Sequence, residues 1–261
     1  MRQIVLEMAL TVLISSLFVT PAGDRAEAAG RPNSKTAAAE VRSDAGGAGA
    51  ICGIVKFAGR LPKPARIDMA QEPACERMHG GRLTIPTVVG GPGDTLADVV
   101  VYISGGLDGR RYETPAEPVM IDQKGCMFSP HVLGLRVNQK LLVYNSDPTM
   151  HTVHPLPAYN PPWNRSQMVA MPPIETSFTH EEIAIPVKCN VHPWMKSFVA
   201  VFAHPFFAVT RSDGAFELRN MPPGTYTVTA WHESLGTCEQ KVTLRPGETM
   251  ELEFTLKSNA E

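Results

Sequence analysis

The sequence predicts an all-β protein of β-sandwich type. Three observations carry that expectation. Most segments after residue 50 are short, alternate between apolar and polar residues, and are bounded by Gly, Pro, Asn or Asp. The 261 residues include 23 prolines and 21 glycines, which suit long loops between sandwich strands. Helical periodicity is absent apart from one turn near Ala70 to Arg77.

Taken in order, Ile51 to Phe57 alternates and opens the β region, and Asp98 to Ile103 (DVVVYI) is a β-branched run. Arg136 to Tyr144 alternates through Val137, Leu141 and Val143 and is expected as one strand. Ile183 to Val187 and Phe198 to Phe202 flank a short polar stretch. Ala215 to Leu218, Thr225 to Trp231, Glu239 to Leu244 and Met250 to Leu256 follow, separated by the turns Ser212-Asp213-Gly214 and Pro222-Pro223-Gly224.

Ahead of these strands the chain reads as a leader. Arg2 precedes an apolar stretch from Ile4 to Val19, interrupted by Glu7, and Ala26-Glu27-Ala28 supplies a cleavage site. Residues 1–28 are therefore expected as a signal peptide, the stretch being short and charged for a membrane span. Residues 29–48, rich in Ala, Gly and Ser without aromatics, are expected as a flexible linker. The mature protein is then periplasmic or secreted, with no membrane insertion after signal cleavage. The net charge of −2 and the lack of a basic run give no support for nucleic acid as a partner.

The stretch VKCNVHPWMKS (187–197) carries the chemistry. Cys189, His192 and Met195 lie within seven positions, just before an apolar strand. Thiolate and thioether favour Cu(I), imidazole serves both copper oxidation states, and a trigonal His₂Cys set with a distant Met is an electron-transfer donor set. A tight loop can aim three side chains at one point, whereas a strand sends them to alternate faces. The second imidazole is expected from VYNSDPTMHTVH (143–154), with His151 first and His154 as its substitute three residues on. A free buried cysteine beside surface histidines, or a His₂Cys zinc site, is the alternative reading of the loop.

This combination resembles the cupredoxins over roughly residues 95–203. The resemblance implies copper held by His151, Cys189, His192 and Met195. Two departures are visible: Thr152 follows His151 where many cupredoxins have Asn, and the H-x-x-M spacing is short. A binuclear centre needs a second bridging cysteine near the loop, and the sequence shows none there.

TRSDGAFELRNMPPGTYTVTAWHE resembles the carboxypeptidase regulatory-like domain, a small transthyretin-like sandwich, through Asp213, Gly214, Phe216, Leu218, Pro222, Pro223, Gly224, Tyr226 and Trp231. GAICGIVKFAG (49–59) resembles the first strand of the same family. The expected organisation is thus residues 49–60 as the first strand of that sandwich, 61–203 as a cupredoxin-like Greek-key copper domain, and 204–257 as the regulatory-like sandwich. As a whole, residues 49–256 resemble exported bacterial cupredoxin-like proteins fused to such a module, sometimes labelled methylamine-utilisation-like.

Five cysteines in an exported chain suggest two disulfides and one thiol left for chemistry. Cys75 with Cys126 is expected as a disulfide, or as a second metal site with His79 and His131. Cys52 with Cys238 would tie together the two pieces of the small sandwich.

No enzyme motif stands out: there is no G-x-S-x-G, H-E-x-x-H, P-loop or C-x-x-C-H. The expected function is single-electron transfer through a mononuclear copper to a redox partner protein, with the exposed edge of His192 as the route and Pro193 and Trp194 as a docking patch. The alternative is a carbohydrate- or protein-binding module with a structural or vestigial metal site, using Trp163, Tyr159 and Trp231 to stack on sugars.

Overall fold

The computed structural model describes residues 47–107 and 109–258. The expected signal peptide and nearly all of the expected linker lie outside the described residues. The described chain is built from β-strands, as the alternation predicts.

The strands are β1 (Gly49–Ala58), β2 (Ala65–Ile67), β3 (Leu83–Ile85), β4 (Val100–Gly105), β5 (Val119–Gln123), β6 (Phe128–Ser129), β7 (Val132–Arg136), β8 (Leu141–Asn145) and β9 (His151–Pro155). They continue as β10 (Arg165–Gln167), β11 (Ile174–Thr176), β12 (Glu182–Lys188), β13 (Lys196–Phe202), β14 (Phe207–Val209), β15 (Ala215–Met221), β16 (Gly224–His232), β17 (Gly236–Leu244) and β18 (Thr249–Lys257). The expected helical turn is α1 (Pro73–His79), between β2 and β3. Pro73 suits its first turn, and Gly80 stops it in the left-handed region at φ 55°.

The strands form two sandwiches. In one, a sheet ordered β15-β1-β18 faces a sheet ordered β14-β4-β16-β17. Ile51, Val55, Phe216 and Phe254 from the first sheet share one core with Val101, Ile103, Tyr226 and Val228 from the second. In the other sandwich, a sheet ordered β10-β9-β12-β13-β7 faces one ordered β11-β8-β5-β6. Leu135, Val153, Ile185 and Val199 meet Ile121, Leu141 and Val143 there.

β1 crosses most of the sequence to pair antiparallel with β15 and parallel with β18. Gly53 permits the second pairing, since a Cβ there would stand 1.8 Å from the Leu252 carbonyl oxygen.

Two expectations about strands are corrected. DVVVYI was expected inside the copper-domain segment, but β4 hydrogen-bonds to β14 and β16 of the other sandwich. Its uninterrupted apolar run has a physical reason: Val101 and Ile103 face that sandwich's core, while Val100 and Tyr102 pack on Val132, Phe198, Ala200 and Phe202 of the neighbouring sandwich. A strand covered on both faces has no polar side to alternate with. The single strand expected over Arg136 to Tyr144 is two, β7 and β8, parted by a turn in which Asn138 has φ 62°. Asn tolerates that region, and the turn sends the chain from one sheet to the other.

Of the two cysteine pairs, Cys75–Cys126 is a disulfide that joins α1 to the β5–β6 turn. Cys52 and Cys238 are both free. Cys52 sits on β1 between Glu217 and Glu251, on the face turned away from the core. Cys238 on β17 packs against the core side. Opposite faces forbid the bond, so the expected one free thiol becomes three. Thiol titration of denatured, unreduced protein should therefore find three thiols, mapped to Cys52, Cys189 and Cys238. A second cystine peptide containing Cys52 and Cys238 would contradict this topology.

Candidate metal centre

β9 and β12 pair antiparallel, with Lys188 opposite His154 and Val187 opposite Pro155. Beyond Lys188 the chain leaves the sheet as the loop Cys189 to Met195, and it re-enters at Lys196 as β13. The loop closes on itself: Cys189 N–H donates to the Met195 carbonyl at 3.2 Å and Met195 N–H to the His192 carbonyl at 2.9 Å. The register thus delivers the loop to the end of β9 that begins with His151.

Three of the four expected ligands converge. His151 Nδ1 lies 2.8 Å from His192 Nδ1, and Cys189 Sγ lies 3.7 Å from His192 Nδ1. Donor atoms of all three lie within 4.8 Å of one another. Both imidazoles are completely buried, and Cys189 is nearly so. Met195, the fourth, is also fully buried, in the same core cluster as Cys189. His154, the substitute first imidazole, is turned away; its Nδ1 meets Asn190 Oδ1 at 3.2 Å near the surface.

Asp147 sets the tautomer of His151, and the sequence reading did not single it out. Asp147 lies in the loop between β8 and β9 and accepts His151 Nε2–H at 2.8 Å. It also accepts backbone N–H bonds from Gly125 at 2.6 Å and Cys126 at 2.7 Å. Burial alone raises its carboxyl, but His151 and the two amides outweigh burial and hold it below the ordinary value. With the proton on Nε2, His151 presents an Nδ1 lone pair to the cluster, the arrangement that a carboxylate gives a metal-binding histidine. Asn145 fixes the same loop through Thr149 O, Gln167 O and Asp147 N–H.

Cys189 Sγ accepts from Thr152 N–H at 3.3 Å and His192 N–H at 3.4 Å, and it meets Thr152 Oγ1 at 3.6 Å. Thr152 Oγ1 in turn accepts from Asn190 N–H at 2.6 Å. Thr152 therefore braces both segments of the site. Burial pushes the thiol up, but His151, His192 and these amides more than reverse that, bringing it down to about 5. A buried thiolate between two imidazole nitrogens is a soft, anionic donor set.

The site is capped. Glu72, just before α1, brings Oε2 within 3.3 Å of His192 Nε2. The disulfide sulfurs of Cys75 and Cys126 also lie within 4.8 Å of a His192 nitrogen. One expectation falls here. His192 has no exposed edge, because the segment from β2 to β3 folds over the loop. Cys75 and Cys126 approach the loop from far away in sequence, but they are bonded to each other and neither is free to bridge. The ring of His192 instead lies 5.3 Å from that of Trp194, which donates Nε1–H to Cys126 O. Trp194 and Pro193 line a surface groove with Ile67, Ile85, Met127 and His131. His79 and His131 are engaged elsewhere, with Gly125 O and Glu233. Of the three aromatics expected to stack on sugars, Trp231 beside Phe198 and Trp163 under Arg165 are half-buried against the cores, and Tyr159 is exposed.

Residues 199–257 match the family model of the carboxypeptidase regulatory-like domain. No curated protein matches the chain. Among solved structures, the chain is similar to a copper-containing nitrite reductase from Thermus scotoductus SA-01 at 22% identity and TM-score 0.30, covering 36% of this chain and 24% of that one. The chain thus spans about a quarter of the reductase's length. It is also similar to a purple cupredoxin from Nitrosopumilus maritimus at 19% identity and TM-score 0.28, covering 32% and 98%. Amicyanin from Paracoccus versutus is similar at 12% identity and TM-score 0.29, covering 39% and 96%. The chemistry of the site stands on the residues described above.

The depressed Cys189 value gives a stability signature in metal-free protein. The thiolate favours the folded state, so its contribution is full above the ordinary thiol value of ~8.5. It fades as pH falls and is gone below about 5. Urea denaturation should show stability rising from pH 5 towards 8.5, with a shallower rise in Cys189→Ser. Equal slopes would mean that Cys189 is an ordinary buried thiol.

Proposed function

We propose that the chain binds a single copper ion through His151, Cys189, His192 and Met195 and passes single electrons to a redox partner protein outside the cytoplasm. The observation that carries this reading is the meeting of two buried imidazole Nδ1 atoms beside a buried thiolate. Two nitrogens 2.8 Å apart share one proton in the metal-free protein or face one cation. Copper supplies the one-electron couple, and the N₂S set with a thioether suits both of its oxidation states.

The chain's own residues do the remaining work. Asp147 keeps the His151 proton away from the donor atom. Thr152 and the His192 amide hold the thiolate in place. Burial excludes water from the site. The electron leaves through the His192 and Trp194 rings to the groove beside Pro193, where a partner docks. Among the described residues no helix is long and apolar enough to cross a membrane. The Cys75–Cys126 disulfide and the leader-like N-terminus support an oxidising, extracytoplasmic location. The likeness to methylamine-utilisation-like proteins rests on the quoted motifs and supplies no substrate.

Adding Cu(II) to metal-free protein should give one equivalent bound and an intense thiolate-to-copper band. Cys189→Ser should lose the band while remaining folded. A band retained in that variant would end the thiolate assignment. Met195→Leu should keep copper with modestly lower affinity and a raised potential, because a weak donor to Cu(II) is removed. His151→Ala should lose most of the affinity, and equal loss in the two variants would show that Met195 is not the weaker donor. Trp194→Leu should keep the band and slow electron exchange several-fold; an unchanged rate would move the exit route elsewhere.

A further inference from the structure

The connection from β10 to β11 carries apolar side chains where turns ordinarily carry Gly, Asn or other polar residues. Met168, Val169 and Met171 are 52%, 50% and 49% exposed. Met171 N–H donates to the Met168 carbonyl at 3.4 Å and closes a turn in which Ala170 holds φ 57°. That region favours glycine, so the turn keeps a strained residue as well as exposed apolar surface. It also folds one methionine back on the other, with Met171 Sδ accepting Met168 N–H at 3.2 Å. A single exposed apolar residue, such as Met120 on β5, is ordinary. A run of them in one strained turn is not.

A third methionine stands beside this turn. β10 pairs antiparallel with β9, with Gln167 opposite His151. Met168 leaves β10 one position past that pair, and half-buried Met150 enters β9 one position before it. Both therefore stand at the same end of adjacent strands. Asn145 fixes their spacing: its Nδ2 donates to the Thr149 carbonyl at 2.9 Å and to the Gln167 carbonyl at 3.0 Å, the peptide units that lead into Met150 and Met168. Adjacent strands lie about 4.8 Å apart, which unbranched side chains with three rotatable bonds can span.

We propose that Met150, Met168 and Met171 form a surface site that captures a soft univalent cation of the Cu(I) type. Thioethers select Cu(I), whereas harder divalent ions prefer oxygen and nitrogen donors. A thioether carries no proton, so capture releases none and moves no electron. Met171 Sδ gives one lone pair to the Met168 amide and keeps the other for the ion. The site uses none of His151, Cys189, His192 or Met195, and it stands whether or not those residues hold copper.

The test uses the full chain with isotope-labelled methionine methyl groups. Cys52→Ser, Cys189→Ser and Cys238→Ser remove the free thiols that would compete for the probe. The probe is Ag(I), which shares the charge and softness of Cu(I) and is stable in air. The methyl NMR signals of Met150, Met168 and Met171, assigned by single Met→Leu variants, should shift together and saturate at one equivalent. Met168→Leu combined with Met171→Leu should weaken silver binding at Met150 at least several-fold. Zn²⁺ should leave all three signals in place. Circular dichroism checks folding. If the thiol-free chain does not fold, the wild-type chain, titrated past the silver its thiols take, gives the same readout. Signals unmoved by silver, a Met150 response unchanged in the double variant, or an equal response to zinc would overturn the proposal.

Discussion

The pairing of Lys188 with His154 places everything else at the site. It brings the end of β12 alongside the start of β9, so that Cys189 emerges beside Thr152 and His151. A slip of one residue would turn His151 to the other face of its sheet. From there a single line of contacts runs through the cluster: two backbone amides to Asp147, Asp147 to His151, and His151 to His192. Asp147 holds the proton of His151 Nε2 and leaves Nδ1 facing His192. The site is therefore defined by hydrogen-bond direction as much as by distance, and those directions originate in the β5–β6 turn that the disulfide also anchors.

That anchoring makes the cap part of the site. α1, Glu72 and the disulfide enclose His192, and the Trp194 ring lies between it and the surface groove beside Pro193. The second sandwich supports this arrangement from behind. β4 belongs to it yet lends Val100 and Tyr102 to the contact with β7 and β13. Fully buried Phe202 sits in that contact, stacked on Phe207 at 4.4 Å. Since β13 is the strand into which the Cys189–Met195 loop returns, packing between the sandwiches stiffens one side of the loop.

Much of this was legible in the sequence. Alternation and turn residues placed β1, β12, β13 and the strands from β15 to β18, and residue softness drew attention to Cys189, His192 and Met195. What escaped has physical causes. β4 reads as a strand, but its partner sheet is set by tertiary pairing that no local pattern encodes. The bend at Asn138 hides inside an unbroken alternation. Asp147 is one acid in a loop, and only its three-dimensional neighbours distinguish it. Cys52 and Cys238 make a plausible pair by count, yet the side each faces is decided by strand register. The cap over His192 arises from a segment more than a hundred residues upstream.

The central claim is that Cys189 and two imidazoles share one ion. X-ray absorption on copper-loaded protein measures this directly. The expected first coordination shell contains one short copper–sulfur path and two imidazole nitrogens, with the sulfur path lost in Cys189→Ser. A shell of nitrogen and oxygen alone, or one unchanged by that substitution, would contradict the account.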